Sequence, residues 1–164
     1  MDIRDLDPVT DLDAVYRFYQ DAPDYRLLAE GIAPDLAKAR AFFTDAPPQS
    51  DPARSHRMGL FIDGRLSGLA ELSFDWPAKG DPFLGLMILG PWAQGQGAGQ
   101  VFLAEVITRA KSTGAKALYL AVLDQNPRGR VFWERQGFTG TGVRATWETV
   151  AGPRSAERMV RPLD

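Results

Sequence analysis

Residues 84–114 read LGLMILGPWAQGQGAGQVFLAEVITRAKSTG, and this stretch decides the fold. Leu84 to Leu89 is apolar at nearly every position, which predicts a central strand buried on both faces. The glycine-rich turn Gln94 to Gly99 follows, and apolar residues then recur at helical spacing until Gly114. A strand, a glycine turn and a helix in this order present unpaired backbone N–H groups at the positive end of a helix dipole. We therefore expect the turn to bind an anion.

The residues after this helix extend the unit into a β-α-β crossover. Leu118 to Leu123 is a second apolar run, and we expect it to lie parallel to the first strand, with a right-handed connection. Asn126 as the cap, Pro127 as the first helical residue and Gly137 as the terminator predict one more short helix. Two further strands would complete the sheet, at residues 138–149 and 155–160.

The residues before the central strand predict a hairpin. Met58 to Ile62 and Leu66 to Trp76 flank the dipeptide Asp63-Gly64, which is favoured in two-residue turns. In the second arm apolar residues alternate with polar ones, so one face should be apolar and the other polar. The polar face would carry Glu71, Ser73 and Asp75.

The first 57 residues predict two helices and a long polar loop. Apolar residues at the spacing of one buried helical face mark the first helix, namely Leu12, Val15, Tyr16 and Tyr19. Thr10 and Asp13 form an approximate capping box at its start. The second helix is expected from Pro34 to Thr44. The loop that follows should hold His56, the only histidine, in a solvent-exposed position.

Composition and charge exclude several classes of function. The chain has 164 residues, of which 45% are hydrophobic and 24% charged, and this fits one domain over residues 1–164. It has no cysteine, which excludes a disulfide framework and a thiolate nucleophile, and we expect no metal site. The net charge of −2 does not indicate the basic surface that nucleic-acid binding requires. No run reaches the roughly 20 apolar residues that cross a bilayer, and no signal-peptide pattern is present, so we expect a cytoplasmic protein without a membrane partner.

Three kinds of phosphate site compete for the glycine turn. The dinucleotide fingerprint G-x-G-x-x-G fails, because the sixth position is Gln100 counted from Gly95 and Phe102 counted from Gly97. A P-loop needs Gly-Lys-Ser/Thr, and the glycine turn contains no lysine, serine or threonine. The pattern Q/R-x-x-G-x-G/A is matched by Gln94-Gly95-Gln96-Gly97-Ala98-Gly99. With this motif the sequence resembles the GNAT family of acetyltransferases, which bind the pyrophosphate of coenzyme A through such a turn.

The resemblance extends over residues 58–138. The segment Asn126-x-x-Gly129-x-x-Phe132-Trp133-x-x-x-Gly137-Phe138 is similar to the family signature N-x-x-A-x-x-F-Y-x-x-x-G-F. The resemblance implies an α/β fold with a mixed, mostly antiparallel sheet, one splayed parallel strand pair and about four flanking helices. Residues 1–57 would form a helical acceptor side, residues 58–138 the acyl-CoA-binding core, and residues 139–164 the C-terminal strands.

The resemblance also implies acetyl-CoA as co-substrate. Its pantetheine arm would lie beside the end of the central strand, where we choose the backbone N–H of Leu89 as the donor that stabilises the oxyanion. Asn126 would contact this arm, although it would also cap the helix. Arg128 and Arg130 would pair with a CoA phosphate or form a solvated face. The residues expected to bind the cofactor are Met87, Ile88, Leu89, Gln94, Gly95, Gln96, Gly97, Ala98, Gly99, Gln100, Asn126, Arg128, Arg130 and Trp133.

The implied reaction is direct transfer of an acetyl group from acetyl-CoA to a primary amine in a ternary complex. Many family members use as general acid a tyrosine that is replaced here by Trp133, whose indole N–H is far too weak an acid. Tyr119, a water molecule or no acid at all remain open. The central strand offers no carboxylate, so the base is expected to be Glu71 or, less favoured, Asp75. These departures also leave open a catalytically inactive acyl-CoA-binding module.

The acceptor site is expected to contain Tyr25, Arg26 and Trp76. Aromatic residues beside the carboxylate of Asp75 would suit a small cationic amine. The residues alone do not separate a polyamine, an aminoglycoside, an amino-acid derivative and a protein N-terminus. By analogy with the family, a homodimer through the C-terminal strands is compatible with the sequence.

Overall fold

Seven strands form one sheet in the computed structural model, which describes residues 1–164. The strands are β1 (Asp2–Asp5), β2 (His56–Ile62), β3 (Arg65–Phe74), β4 (Pro82–Leu89), β5 (Ala117–Leu123), β6 (Thr139–Thr149) and β7 (Gly152–Pro162). Their order across the sheet is β1-β2-β3-β4-β5-β7-β6. Only β4 and β5 are parallel, and the other neighbours are antiparallel. The predicted fold class is therefore confirmed.

Five helices accompany the sheet, where about four were expected. They are α1 (Leu12–Asp21), α2 (Asp24–Glu30), α3 (Leu36–Ala41), α4 (Ala98–Lys111) and α5 (Pro127–Arg135), with short 3₁₀ turns at Pro52–Arg54 and Pro91–Ala93. Phe102, Leu103 and Val106 of α4 belong to the larger hydrophobic core, together with residues of the sheet. Phe18 and Tyr19 of α1 belong to a second core, together with residues of α3, β3 and β4. Each fully buried large side chain contributes about 1.5–3 kcal/mol.

The N-terminal region differs from the prediction in three ways. The strand β1 and the helix α2 were not predicted. Helix α3 is shorter than the expected span 34–44, and Asp35 caps its start by accepting from the N–H of Lys38. The capping box at Thr10 is absent. The carboxylate of Asp7 instead accepts from the N–H groups of Val9 and Thr10, before the helix begins.

The expectation for His56 was wrong. It begins β2 instead of lying in the preceding loop, and it is half-buried. Its ring stands edge-on to Phe74, and its Nδ1 lies 3.1 Å from a guanidinium nitrogen of Arg109. Burial and this neighbouring cation lower the pKa of His56.

The hairpin of β2 and β3 forms as predicted around Asp63-Gly64, and both turn residues have positive φ angles. The expected difference between the two faces of β3 is not observed, because every residue after Arg65 is buried. Helices α1 and α3 pack on one face of this strand and α4 on the other. Glu71 and Ser73 are therefore interior residues.

The central strand β4 is interrupted twice in ways that shape the site. Glu71 of β3 pairs with Leu86 and Leu72 pairs with Leu84, so Gly85 is the extra residue of a β-bulge. On its other side β4 pairs with β5 only through Phe83 and Leu84. Beyond those two positions the parallel strands separate, and the second half of β4 lines an open cleft instead of being buried on both faces.

Candidate active site

The separation of β4 and β5 creates a cleft of about 900 Å³. The glycine turn and the first residues of α4 form one part of its wall, and α5 forms another. Gly95 and Gly97 have φ angles of 75° and 79°, a conformation that residues with side chains rarely adopt. A Cβ atom at either position would meet nothing within 4 Å, so the surface above the turn is free.

The start of α4 supplies hydrogen-bond donors to this cleft. Gly97 caps the helix, and the first helical hydrogen bond runs from the N–H of Val101 to the carbonyl of Gly97. The N–H groups of Ala98, Gly99 and Gln100 therefore have no partner within the helix. Together with the helix dipole they can hold a phosphate group, so the turn fits the diphosphate of coenzyme A.

Most residues predicted to bind the cofactor line this cleft. They are Met87, Ile88, Leu89, Gln94, Gly95, Gly97, Ala98, Gly99, Gln100, Asn126, Arg128 and Trp133. Gln96 does not line it, because its side-chain amide turns back and donates to the carbonyl of Trp92. Arg130 does not line it either, since it is held in ion pairs with Glu134 and Glu157.

The helix α5 begins with a close contact between Asn126 and Gly129. The side-chain oxygen of Asn126 accepts from the N–H of Gly129, so Asn126 caps the helix as predicted. A Cβ atom at Gly129 would collide with the amide group of Asn126. Gly129, where the signature has alanine, is therefore in close contact with the capping side chain. Trp133 packs edge-on between Phe132 and Phe138, which agrees with a packing role.

A second cavity of about 550 Å³ lies over the bulge in β4. Its wall includes two of the predicted acceptor residues, Tyr25 and Trp76. Arg26 lies outside the cavity wall and pairs with Glu30 and Asp35. Sequence reasoning missed several other wall residues, namely Tyr19, Glu30, Lys38, Phe42, Asp45, Arg57 and Trp147. We call this space the acceptor cavity.

The C-terminal hairpin holds α2 over the acceptor cavity. The indole N–H of Trp147 donates to the carbonyl of Ala29 at 3.3 Å, and Arg154 donates to the carbonyl of Leu28 at 2.7 Å. Gly31, which ends α2, lies so close to Ala151 that a Cβ atom there would collide with it. These contacts join residues more than 100 positions apart, so no local sequence signal could have revealed them.

Glu71 is the buried carboxylate of the acceptor cavity. Only 6% of its surface is exposed, and one carboxylate oxygen accepts from the hydroxyl of Ser73. The Ser73 hydroxyl in turn lies 2.8 Å from that of Ser55. The other oxygen occupies the space in which a side chain at Gly85 would stand. Burial raises the pKa of Glu71, against a smaller opposing effect of the Ser73 hydrogen bond.

Two residues weighed as catalytic groups lie elsewhere. Asp75 follows the end of β3 with a φ angle of 68°, lines neither cavity, and is held by Arg54 and the N–H of Gly80. These contacts lower the pKa of Asp75. Tyr119 pairs with Phe83 at the closed end of the parallel strand pair and also lines neither cavity. The geometry therefore favours Glu71 over Asp75 and gives Tyr119 no route to the cleft.

The two cavities meet at the bulged strand. Tyr25, Gly85 and Leu86 line both of them, and the Glu71 carboxylate lies against Gly85 at this junction. The structure has no cluster of three potential metal ligands. None of its helices has the length and apolar character needed to cross a membrane.

Comparison with known proteins identifies the same architecture. An Escherichia coli ribosomal-protein-S18-alanine N-acetyltransferase shares 20% identity over 99% of this chain and 94% of its own, with a TM-score of 0.71. A ribosomal-protein-alanine N-acetyltransferase from Brucella melitensis shares 20% identity over 99% and 100%, with a TM-score of 0.77. The PaiA N-acetyltransferase of Thermoplasma acidophilum, solved with coenzyme A, shares 19% over 98% of both chains, with a TM-score of 0.69.

Sequence comparison gives a family assignment. No curated protein matches the sequence closely enough to count as a relative. The sequence profile of the acetyltransferase (GNAT) family matches residues 12–138, which include the cleft, the glycine turn and Glu71. This match covers well over half of the chain, and the chain therefore belongs to the GNAT family of acetyltransferases.

Proposed function

We propose that this protein transfers an acetyl group from acetyl-CoA directly to a primary amine bound in the acceptor cavity. The observation that carries the proposal is the junction at Gly85 and Leu86, where the cleft and the acceptor cavity meet beside a buried carboxylate. A thioester in the cleft and an amine in the acceptor cavity would face each other there. Holding two reactants in this way removes much of the entropic barrier to their reaction.

Glu71 is the general base in this proposal. The amine enters as an ammonium ion and gives one proton to the Glu71 carboxylate, and its nitrogen then attacks the thioester carbon. A carboxylate of raised pKa is a stronger base than an ordinary one, as this step requires. The central strand β4 has no carboxylate of its own. The carboxylate of Glu71, from the neighbouring strand β3, lies against Gly85 and takes this place.

The backbone of β4 and Tyr25 complete the proposed reaction. An N–H at the end of β4, for which Leu89 remains our choice, would stabilise the oxyanion that forms on the carbonyl oxygen. When the C–S bond breaks, the second proton of the nitrogen is transferred to the thiolate sulfur of CoA. Among the residues that line both cavities, Tyr25 alone carries a side-chain proton donor. Burial raises the pKa of Tyr25, so the phenol remains protonated and would act as a hydrogen-bond donor and proton relay to the sulfur, not as a strong acid.

The class of acceptor follows from the cavity and from the neighbours. Glu30, Asp45 and Glu71 contribute carboxylates, and Trp76 and Trp147 contribute aromatic faces, a combination that suits an ammonium group. Two structural neighbours are described as acetylating alanine of ribosomal proteins, and this supports a primary amine as acceptor. At about one fifth identity the neighbours do not extend that choice of substrate to this chain.

Thermal unfolding with and without acetyl-CoA tests the cofactor site. We expect a rise in Tm, because a ligand that binds only the folded state stabilises it. Gln100→Glu places a negative charge at the start of α4, where it should repel the diphosphate and reduce the rise. Gln96→Glu is the matched control, since Gln96 lies in the same turn but outside the cleft wall. No rise with the wild-type protein would contradict the proposal.

Release of free thiol from acetyl-CoA over a broad panel of amines tests the reaction itself. Turnover that depends on an amine would support the transferase. A rise in Tm without turnover for any amine would instead identify an inactive acyl-CoA-binding module.

A further inference from the structure

Arg57 has buried hydrogen-bond donors that no protein group satisfies. It lies on β2 directly opposite Glu71 of β3, lines the acceptor cavity and is only 7% exposed. One terminal nitrogen, Nη1, donates to the carbonyl of Phe42 at 2.7 Å. The Nε and Nη2 groups are buried and have no hydrogen-bond partner.

No carboxylate of the cavity neutralises these donors. Glu71 accepts from Ser73 and is directed toward Gly85, and Glu30 is engaged by Arg26 and Lys38. Neither they nor Asp45 form an ion pair with Arg57, and burial lowers the pKa of Arg57 against the smaller opposing effect of Glu71 and Asp45. Buried polar groups in folded proteins are almost always satisfied, so these donors require a partner, and a ligand of the acceptor cavity can supply it.

The free edge of Arg57 has a definite chemical preference. The N–H groups of Nε and Nη2 lie side by side and point in the same direction, which is the arrangement that binds both oxygens of a carboxylate. Both nitrogens lie beneath the cavity wall, so a small side-chain rearrangement must accompany binding. Residues directly opposite each other on antiparallel strands have Cβ atoms about 4.5–5.5 Å apart. Arg57 and Glu71 can therefore engage two groups of one small molecule.

We propose that the acceptor is a free amino acid, whose carboxylate binds the Nε and Nη2 edge of Arg57 while its amino group faces Glu71. This inference rests on the proposed function and narrows it. In a peptide N-terminus the group next to the amine is an amide, and in a polyamine it is a methylene; neither can accept the paired, charge-assisted hydrogen bonds. The remaining wall, with Tyr19, Phe42 and Trp76, would receive the side chain.

The experiment compares ligands that differ only at the carboxylate. The twenty free amino acids are screened by Tm shift and by thiol release from acetyl-CoA. Each one that responds is compared with its amide and with its decarboxylated amine, such as phenylalanine with phenylalaninamide and phenethylamine. We expect the free acid to exceed both in kcat/KM by roughly 10- to 100-fold, the usual worth of hydrogen bonds to a charged group.

Variants of Arg57 test whether this residue makes the distinction. Arg57→Gln should reduce the ratio of kcat/KM for the acid to kcat/KM for the matched amine to about one. Arg57→Lys keeps the charge but not the paired donors, so it should retain part of this ratio. Equal loss with the acid and the amine would show a structural role and overturn the proposal. The wild-type comparison stands even if the variants fail to fold.

The outcomes of these experiments test the carboxylate site and the proposed transferase activity independently. Amino acids that raise Tm without releasing thiol would refute the transferase and leave the carboxylate site intact. Turnover of amides, peptides or amines as fast as the matched acids would overturn the carboxylate site and leave the transferase. A wild-type protein to which no amino acid binds would also overturn the carboxylate site.

Discussion

The carboxylate of Glu71 fills the space that a side chain at Gly85 would occupy on the neighbouring strand. Gly85 is the extra residue of the bulge in β4, so the same glycine bends the strand and receives the carboxylate. The position of the proposed base therefore depends on the absence of a Cβ atom on another strand. This dependence gives the first prediction.

Gly85→Ala should displace Glu71 and lower kcat at least tenfold while the CoA-induced rise in Tm is retained. The added methyl group collides with the carboxylate, and misplacement of a catalytic group by about 1 Å can reduce the rate by about two orders of magnitude. The measurement is thiol release with the best amine of the panel. The shorter side chain of Glu71→Asp should relieve the collision, so the double variant should lose less than the product of the two single effects. An unchanged kcat in Gly85→Ala would contradict this placement of the base.

Glu71→Gln should reduce kcat/KM by roughly 10²- to 10⁴-fold, the usual contribution of a general base. Because burial raises the pKa of Glu71, the wild-type rate should fall on acidification at a pH above the ordinary range of a glutamate. Ser73→Ala removes a hydrogen bond that lowers the pKa of Glu71, and should move this acidic limb to still higher pH. Asp75→Asn is the control and should leave both rate and profile near wild type. A larger loss in Asp75→Asn than in Glu71→Gln would reverse our assignment of the base.

The same burial predicts a pH-dependent effect on stability. The pKa of Glu71 is higher in the folded than in the unfolded state, so the unfolded state loses its proton first and the folded state is progressively disfavoured as pH rises between the two values. Below about pH 4 both states are protonated and the penalty disappears. Glu71→Gln should therefore have a higher Tm than wild type at pH 8, with a gain that shrinks toward pH 4. Tm measured across this range checks the sign, and a gain that grows toward acid pH would refute it.

Variants of two arginines in the first turn of α5 should differ in their effect on cofactor binding. Arg128 lines the cleft and forms no ion pair, whereas Arg130 is paired with Glu134 and Glu157 outside the cleft wall. Arg128→Ala should raise the KM for acetyl-CoA about fivefold, as expected for the loss of a solvent-exposed charge pair worth up to about 1 kcal/mol. Arg130→Ala should change that KM less than twofold. A larger effect of Arg130→Ala would place the phosphate elsewhere.

The cleft could be predicted from the sequence because its signals are local. The positive φ angles at Gly95 and Gly97, the helix that starts at Ala98 and the cap at Asn126 each depend on neighbours within a few residues. These signals led to the family resemblance, and the family match confirms it.

The acceptor cavity could not be predicted, because it depends on strand register and on distant contacts. Counted from the two-residue turn, an uninterrupted hairpin would place Arg57 opposite Ala70. A bulge between Leu60 and Phe61 shifts the register by one residue, and so brings Arg57 opposite Glu71. The local sequence does not predict this bulge. Trp147 likewise enters the cavity wall only because the C-terminal hairpin folds back onto α2.

Strands β4 and β5 pair at only two positions, and this affects how the stability of the protein depends on its co-substrate. Beyond Leu84 and Leu120 the facing edges of these two strands are unpaired, and the extended pantetheine arm of the co-substrate would supply hydrogen-bond partners there. The sheet would then be complete only with acetyl-CoA or CoA bound. A protein built in this way would resist unfolding and proteolysis best with the co-substrate bound, because the ligand completes the hydrogen bonding of the sheet.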